Sequence, residues 1–219
     1  MGQIIKIKVF TDKYPLLGPI IWILSIQYFI TQIIVDIAYK YSYSLRFNTI
    51  SDLGNTSCGI YSGRYVCSSL HNLMNASFIM LGFTMALGSL LIYQEFRRDR
   101  GTLVGFSLMG IAGIGTILVG LFPENTVSLL HTIGASMPFI LGNIALIIMS
   151  LYLLLPSPFK FYTAVSGVVA LFFLILFKTG LYGPLGIGGV ERIVAYPQTI
   201  WLIFFGIYMT RNHYLKRSK

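Results

Sequence analysis

Four short stretches of this 219-residue chain gather side chains that can hold charge or move protons. Ser51, Asp52 and Asn55 form the first, and His71, Asn72 and Asn75 the second. Glu124, Asn125 and His131 form the third, and Glu191, Arg192 and Tyr196 the fourth. Imidazoles suit general-base work or metal ligation, and carboxylates can orient or ligate beside them. His71, His131, Asp52, Glu124 and Glu191 are therefore the catalytic candidates, with Asn72, Asn75, Arg192 and Tyr196 as substrate-binding groups. Two histidines and a carboxylate can hold zinc with an open position for water. No compact ligand motif such as H-x-x-x-H is present, so no metal and no cofactor is expected. Ser51 lies beside Asp52 without a G-x-S-x-G elbow, and the sequence alone brings no histidine to it. The run Gly183-Pro-Leu-Gly-Ile-Gly-Gly189 could cradle phosphate through its backbone, but it reads first as a plain turn.

The elements that must position these residues are apolar. The chain is 55% hydrophobic and only 11% charged, against roughly 25% charged in soluble domains. Too few polar residues remain to cover a water-soluble surface, whereas lipid tolerates an apolar exterior. Six apolar runs reach spanning length, at about 16–37, 73–93, 102–122, 132–155, 161–182 and 193–210. Connections are short except for the loop at 38–72, so successive helices should be antiparallel neighbours. The expected fold is an all-α six-transmembrane-helix bundle forming a single domain over 1–219. Glycines crowd the third run (Gly101, Gly105, Gly110, Gly113, Gly115, Gly120), which predicts close helix packing. Pro138 and Pro197 should kink the fourth and sixth helices. Asp36 and Lys40 read as a snorkelling surface pair, and His213 as a solvated tail residue.

The net charge of +9 is distributed in clusters between apolar runs, which fits membrane orientation and excludes nucleic acid as a partner. One side collects Lys6, Lys8, Lys13, Arg97, Arg98, Arg100, Lys160, Arg211, Lys216, Arg217 and Lys219. The other holds Lys40, Arg46, Arg64, Lys178 and Arg192. Eleven against five places both termini in the cytoplasm and the first, third and fifth loops outside a cell membrane. Cys58 and Cys67 then face an oxidising compartment, where a disulfide closing the loop is reasonable. Asn55-Thr56-Ser57 is an N-glycosylation sequon in the same loop, making this a glycoprotein candidate.

The stretch Asn48-Thr-Ile-Ser-Asp-Leu-Gly-Asn-Thr-Ser-Cys58 resembles the hallmark of an uncharacterised membrane family, "domain of unknown function nine-nine-eight". The resemblance continues through Gly63-Arg-Tyr-Val-Cys67, His71-Asn-Leu-Met-Asn-Ala-Ser-Phe78 and Gly120-Leu-Phe-Pro-Glu-Asn125. Leu130-His-Thr-Ile-Gly-Ala135, Gly189-Val-Glu-Arg192, Tyr196, Pro197 and Trp201 extend it in order. Ser69 departs from the pattern, where proline is frequent. The resemblance implies six helices and no settled activity. A more distant resemblance links the chain to Frag1/DRAM/Sfk1-type membrane proteins, associated with lipids and autophagy.

Two functional readings follow. In the first, an outward-facing polar pocket binds or processes a lipid head group or lipid-linked small molecule. In the second, the same groups are structural, and the chain is a non-catalytic accessory or scaffold subunit with partner membrane subunits. Membrane lipid is the partner expected of the first. No internal repeat is visible and the runs are almost free of midplane charge, so transport through the bundle is not favoured.

Overall fold

A computed structural model describes residues 13–96 and 99–217. It contains six helices long and apolar enough to cross a membrane. They are α1 (Leu17–Ile37), α2 (His71–Tyr93), α3 (Arg100–Leu121), α4 (Ser128–Tyr152), α5 (Ser157–Thr179) and α6 (Gly186–Arg217). Between α1 and α2, strands β1 (Gly59–Tyr61) and β2 (Arg64–Val66) pair antiparallel. Ser62 and Gly63, both with positive φ, form their two-residue turn, the geometry that best matches strand twist. Cys58 and Cys67 are disulfide-bonded across the base of this hairpin.

Helices adjacent in sequence pack together, and α1 closes the ring against α6. The closest approach is between α2 and α3, where Gly82 and Gly113 face each other backbone to backbone. A Cβ on Gly113 would sit 2.6 Å from the Gly82 carbonyl oxygen. Gly115 meets Gly134 of α4 in the same way, so the expected glycine packing is realised. Gly110 packs more loosely, since a Cβ there would meet the Ser89 Cβ at 3.9 Å.

The alternation of short connections sorts the molecule into two ends. The loop-bearing end gathers residues 38–70, the turn after α3 and the turn before α6. Asn125 bonds to Thr56 and Ser57 there, and Gly188 donates to the Arg46 carbonyl at 2.9 Å. At the terminal end Trp22, Phe96, Phe106, Phe159, Trp201 and Phe205 form an aromatic cluster.

Several boundaries differ from expectation. α6 begins at Gly186, not near 193, so Glu191 and Arg192 lie within its second turn. The glycine run reads as a turn because glycine disfavours helices. Here Gly186 enters at φ 67° and Gly188 must lie against the loop carbonyls of Leu45 and Asn48. Pro138 opens a π turn, Pro138–Gly142, inside α4. Lys40 lies beyond the end of α1, and no Asp36–Lys40 ion pair exists among the described residues. His213 is half-buried, not solvated.

Candidate functional site

The segment 44–55 is the hub of the loop-bearing end, and its own sequence shapes it first. Asn48 N donates to the Ser44 carbonyl at 2.7 Å, and Asn48 Oδ1 accepts from Ser44 N at 3.0 Å. Thr49 and Asp52 then cap each other. Asp52 Oδ2 accepts from Thr49 N at 3.0 Å, while Asp52 N donates to Thr49 Oγ1 at 3.2 Å. This reciprocal arrangement is the logic of a capping box, and it starts the 3-10 turn Ser51–Gly54.

Asp52 is fully buried, and its counter-ion is Arg64 on β2. The pair is bidentate: Arg64 Nε reaches Oδ2 at 2.6 Å and an Arg64 terminal nitrogen reaches Oδ1 at 2.7 Å. Asn48 Nδ2 adds a bond at 2.9 Å. Burial would raise the Asp52 carboxyl, but the bonds from Arg64, Glu124 and Asn48 and the guanidinium charge hold it below the usual carboxylate value. Glu124, across from it, moves the other way. Burial first, then the Asp52 carboxylate, push Glu124 up to about 9, so it carries a proton at neutral pH. One carboxylate and one carboxylic acid thus sit side by side, and Glu124 Oε1 has no hydrogen-bond partner.

Glu191 and Arg192 fasten the same segment from α6. Glu191 accepts from the backbone N–H of Ile50. One terminal nitrogen of Arg192 donates to three carbonyls, Leu45 at 3.0 Å, Asn48 at 2.9 Å and Gly188 at 2.8 Å. The other donates to the Tyr43 hydroxyl, which itself donates to the Thr49 carbonyl at 2.7 Å. Tyr196 donates to Gln32 Oε1 at 2.8 Å, tying α6 to α1. Asn75 donates to the Gly54 carbonyl at 2.9 Å and Ser68 to that of Leu53 at 2.6 Å. Nearly every polar group brought here therefore holds loop backbone.

His131 is the group with a different partner. Its Nδ1 lies 2.9 Å from the Phe122 carbonyl oxygen, which can only accept, so Nδ1 carries the proton. Nε2 then accepts from the Ser51 hydroxyl at 3.0 Å. Ser51 is half-buried and borders a cavity of about 40 Å³ beneath the loop, room for a few water-sized groups. Glu191, Tyr28, Thr116, Gln198 and Thr199 supply its polar lining, and Phe78, Met85, Pro138 and Phe139 much of the rest. Gln198 is 3% exposed, and its Oε1 has no protein partner.

The sequence-derived candidates thus divide. Asp52 and Glu124 adjoin; Glu191 and Arg192 grip the same segment; His131 joins Ser51, not a carboxylate. His71 bonds to the Ser68 carbonyl at 3.0 Å, and Asn72 is exposed. Asn55, the sequon residue, is 1% exposed, so a glycan would have to be attached before the loop closes. Among the described residues, no group of three or more His, Cys, Asp or Glu is placed to hold a metal ion. The Ser51–His131 pair spans 80 positions and left no local signal. Gln198 and Thr199 did leave one, as amide and hydroxyl groups directly after Pro197 inside an apolar run.

Residues 23–208 match the family described as Protein of unknown function (DUF998). The chain belongs to this family. The match covers all six helices at least in part and all four polar stretches. No curated protein and no solved structure matches.

Proposed function

We propose that this DUF998 member is a multi-pass cell-membrane protein whose loop-bearing end, outside the cell, binds or processes a lipid head group or lipid-linked small molecule. Both termini lie in the cytoplasm. The cation count of eleven against five supports that orientation, as does the disulfide at the loop-bearing end. The observation that carries the reading is the cavity under the 44–55 segment, lined by both Ser51 and Glu191. On the same segment, Leu45 and Phe47 are exposed and the Arg46 guanidinium lies 5.0 Å from the Phe47 ring centre. Apolar and aromatic side chains flanking a cation suit the depth of lipid phosphates.

A second reading has its own observation. Asp52 and Arg64 pair bidentately, and an Arg192 terminal nitrogen is spent on the Leu45 and Asn48 carbonyls, as in a scaffold whose polar groups only fix its shape. Cross-linking separates the two. The purified full chain, incubated in bilayers with a phospholipid carrying a photoreactive head group, is expected to be labelled within residues 44–51. Labelling spread evenly over the helices and unchanged in Arg46→Ala and Glu191→Gln variants would leave the scaffold reading standing.

A further inference from the structure

The geometry points to Ser51 as a nucleophile with His131 as its general base, acting on short-chain carboxylic esters carried by a lipid or lipid-linked alcohol. The inference rests on the lipid-facing reading above. Three features carry it. The Ser51 hydroxyl is 3.0 Å from His131 Nε2, within proton-transfer reach. The Phe122 carbonyl fixes the tautomer by accepting a hydrogen bond from Nδ1–H at 2.9 Å, the orienting role a third group plays beside a histidine base. Asp52, the acid next in sequence, cannot do so because Arg64 and Asn48 occupy its oxygens.

The cavity sets the substrate class. Ser51 stands at its border, and the space below is lined by Phe78, Leu81, Met85, Val119, Pro138 and Phe139. About 40 Å³ admits an acyl group of roughly two to four carbons and no long chain. Tyr28, Gln198 and Thr199, also in the lining, are the candidate donors to a carbonyl oxyanion.

The chemistry balances with water as the only co-reactant. Ser51 Oγ bonds the ester carbonyl carbon while its proton passes to His131 Nε2. The bond to the alcohol oxygen breaks, and that oxygen takes the proton from Nε2. Water then adds to the acyl-serine carbonyl, giving a proton to Nε2. Ser51 Oγ departs and recovers that proton. One ester and one water yield one carboxylic acid and one alcohol.

The test uses the purified full chain in detergent with a fluorophosphonate probe and intact-mass detection. The expected result is a single adduct on the wild type and none on Ser51→Ala. His131→Asn, whose amide can still donate to Phe122, should label at least about 100-fold more slowly, the low end of general-base catalysis. If that variant misfolds, His131→Gln replaces it. Hydrolysis of p-nitrophenyl butyrate should exceed that of the decanoate and vanish in Ser51→Ala. An unlabelled wild type, or a labelled Ser51→Ala, overturns the proposal. Lipid cross-linking at 44–51 with no probe adduct removes the nucleophile and keeps the lipid reading. An adduct with no cross-link keeps the nucleophile and removes the lipid.

Discussion

At the loop-bearing end, Asp52, Glu191, Arg192 and His131 each meet a named partner along a defined direction. At the terminal end, Trp22 lies 5.9 Å from Phe106 and 5.5 Å from Phe205, and Trp201 lies 4.6 Å from Phe205. There the indole N–H groups use one acceptor each, Met85 O and Thr163 Oγ1, and the remaining contact is ring against ring. The first kind of contact depends on charge and on which atom is a donor. The second depends mainly on volume. The loop-bearing end should therefore tolerate changes of size poorly and changes of polarity worse, while the aromatic end should accept any replacement that fills the space.

The strongest test keeps shape and removes charge. Asp52→Asn leaves the Arg64 guanidinium facing a neutral amide, and breaking a buried pair in this way costs about 3–5 kcal/mol. The expected outcome is a large fall in thermal melting temperature in detergent; a melting temperature within a degree or two of wild type would erase the contrast between the ends. The disulfide comes next. Replacing Cys58 and Cys67 with Ala opens a loop with a sequence separation of 9, worth about 2–3 kcal/mol by loop entropy. In the wild type both thiols are expected to resist maleimide until reductant is added, and to react then with an impermeant reagent on intact cells. At the aromatic end, Phe205→Leu should cost only about 1 kcal/mol, the usual figure for a hydrophobic swap that nearly keeps its volume. A loss equal to that of Asp52→Asn would show the aromatic end to be equally exacting.

The remaining test is the most specific. Glu124 is raised to about 9, so the folded protein holds a proton that the unfolded chain releases near its ordinary value of 4.5. Its contribution to stability falls as pH rises between those values. Asp52, held low, contributes the opposite sense, with stability present above its ordinary 3.8 and lost in stronger acid. Stability followed against pH should decline from about pH 5 to 9 in the wild type, and Glu124→Gln should flatten that slope while melting no lower at pH 8. A slope that persists in Glu124→Gln would assign the proton elsewhere.

The six helices were legible because run length and missing charge are local properties of the sequence. The start of α6 was not. Its glycines look like a turn until the carbonyls of Leu45 and Asn48 are seen against Gly188. The polar residues of the site were legible by type, since ionisable groups among apolar runs stand out. Their pairing was not, because it depends on how 44–55 folds. Asp52 could have taken Arg192 as readily as Arg64 on spacing alone. His71 and His131 begin similar helix ends, yet one serves a local carbonyl and the other reaches Ser51.

Arg192 also sets a schedule. It holds the Asn48 carbonyl, 144 positions earlier, and Glu191 holds Ile50, 141 positions earlier. At synthesis rates of about 5–20 residues per second, the loop emerges some 7–30 seconds before its last fasteners exist. During that wait Cys58 and Cys67, nine positions apart, can join and set the hairpin early. Asn55, later enclosed, is open to modifying enzymes in the same interval. The loop is among the first parts made and the last to be locked, so an incomplete chain would present it unfastened to whatever surveys nascent membrane proteins.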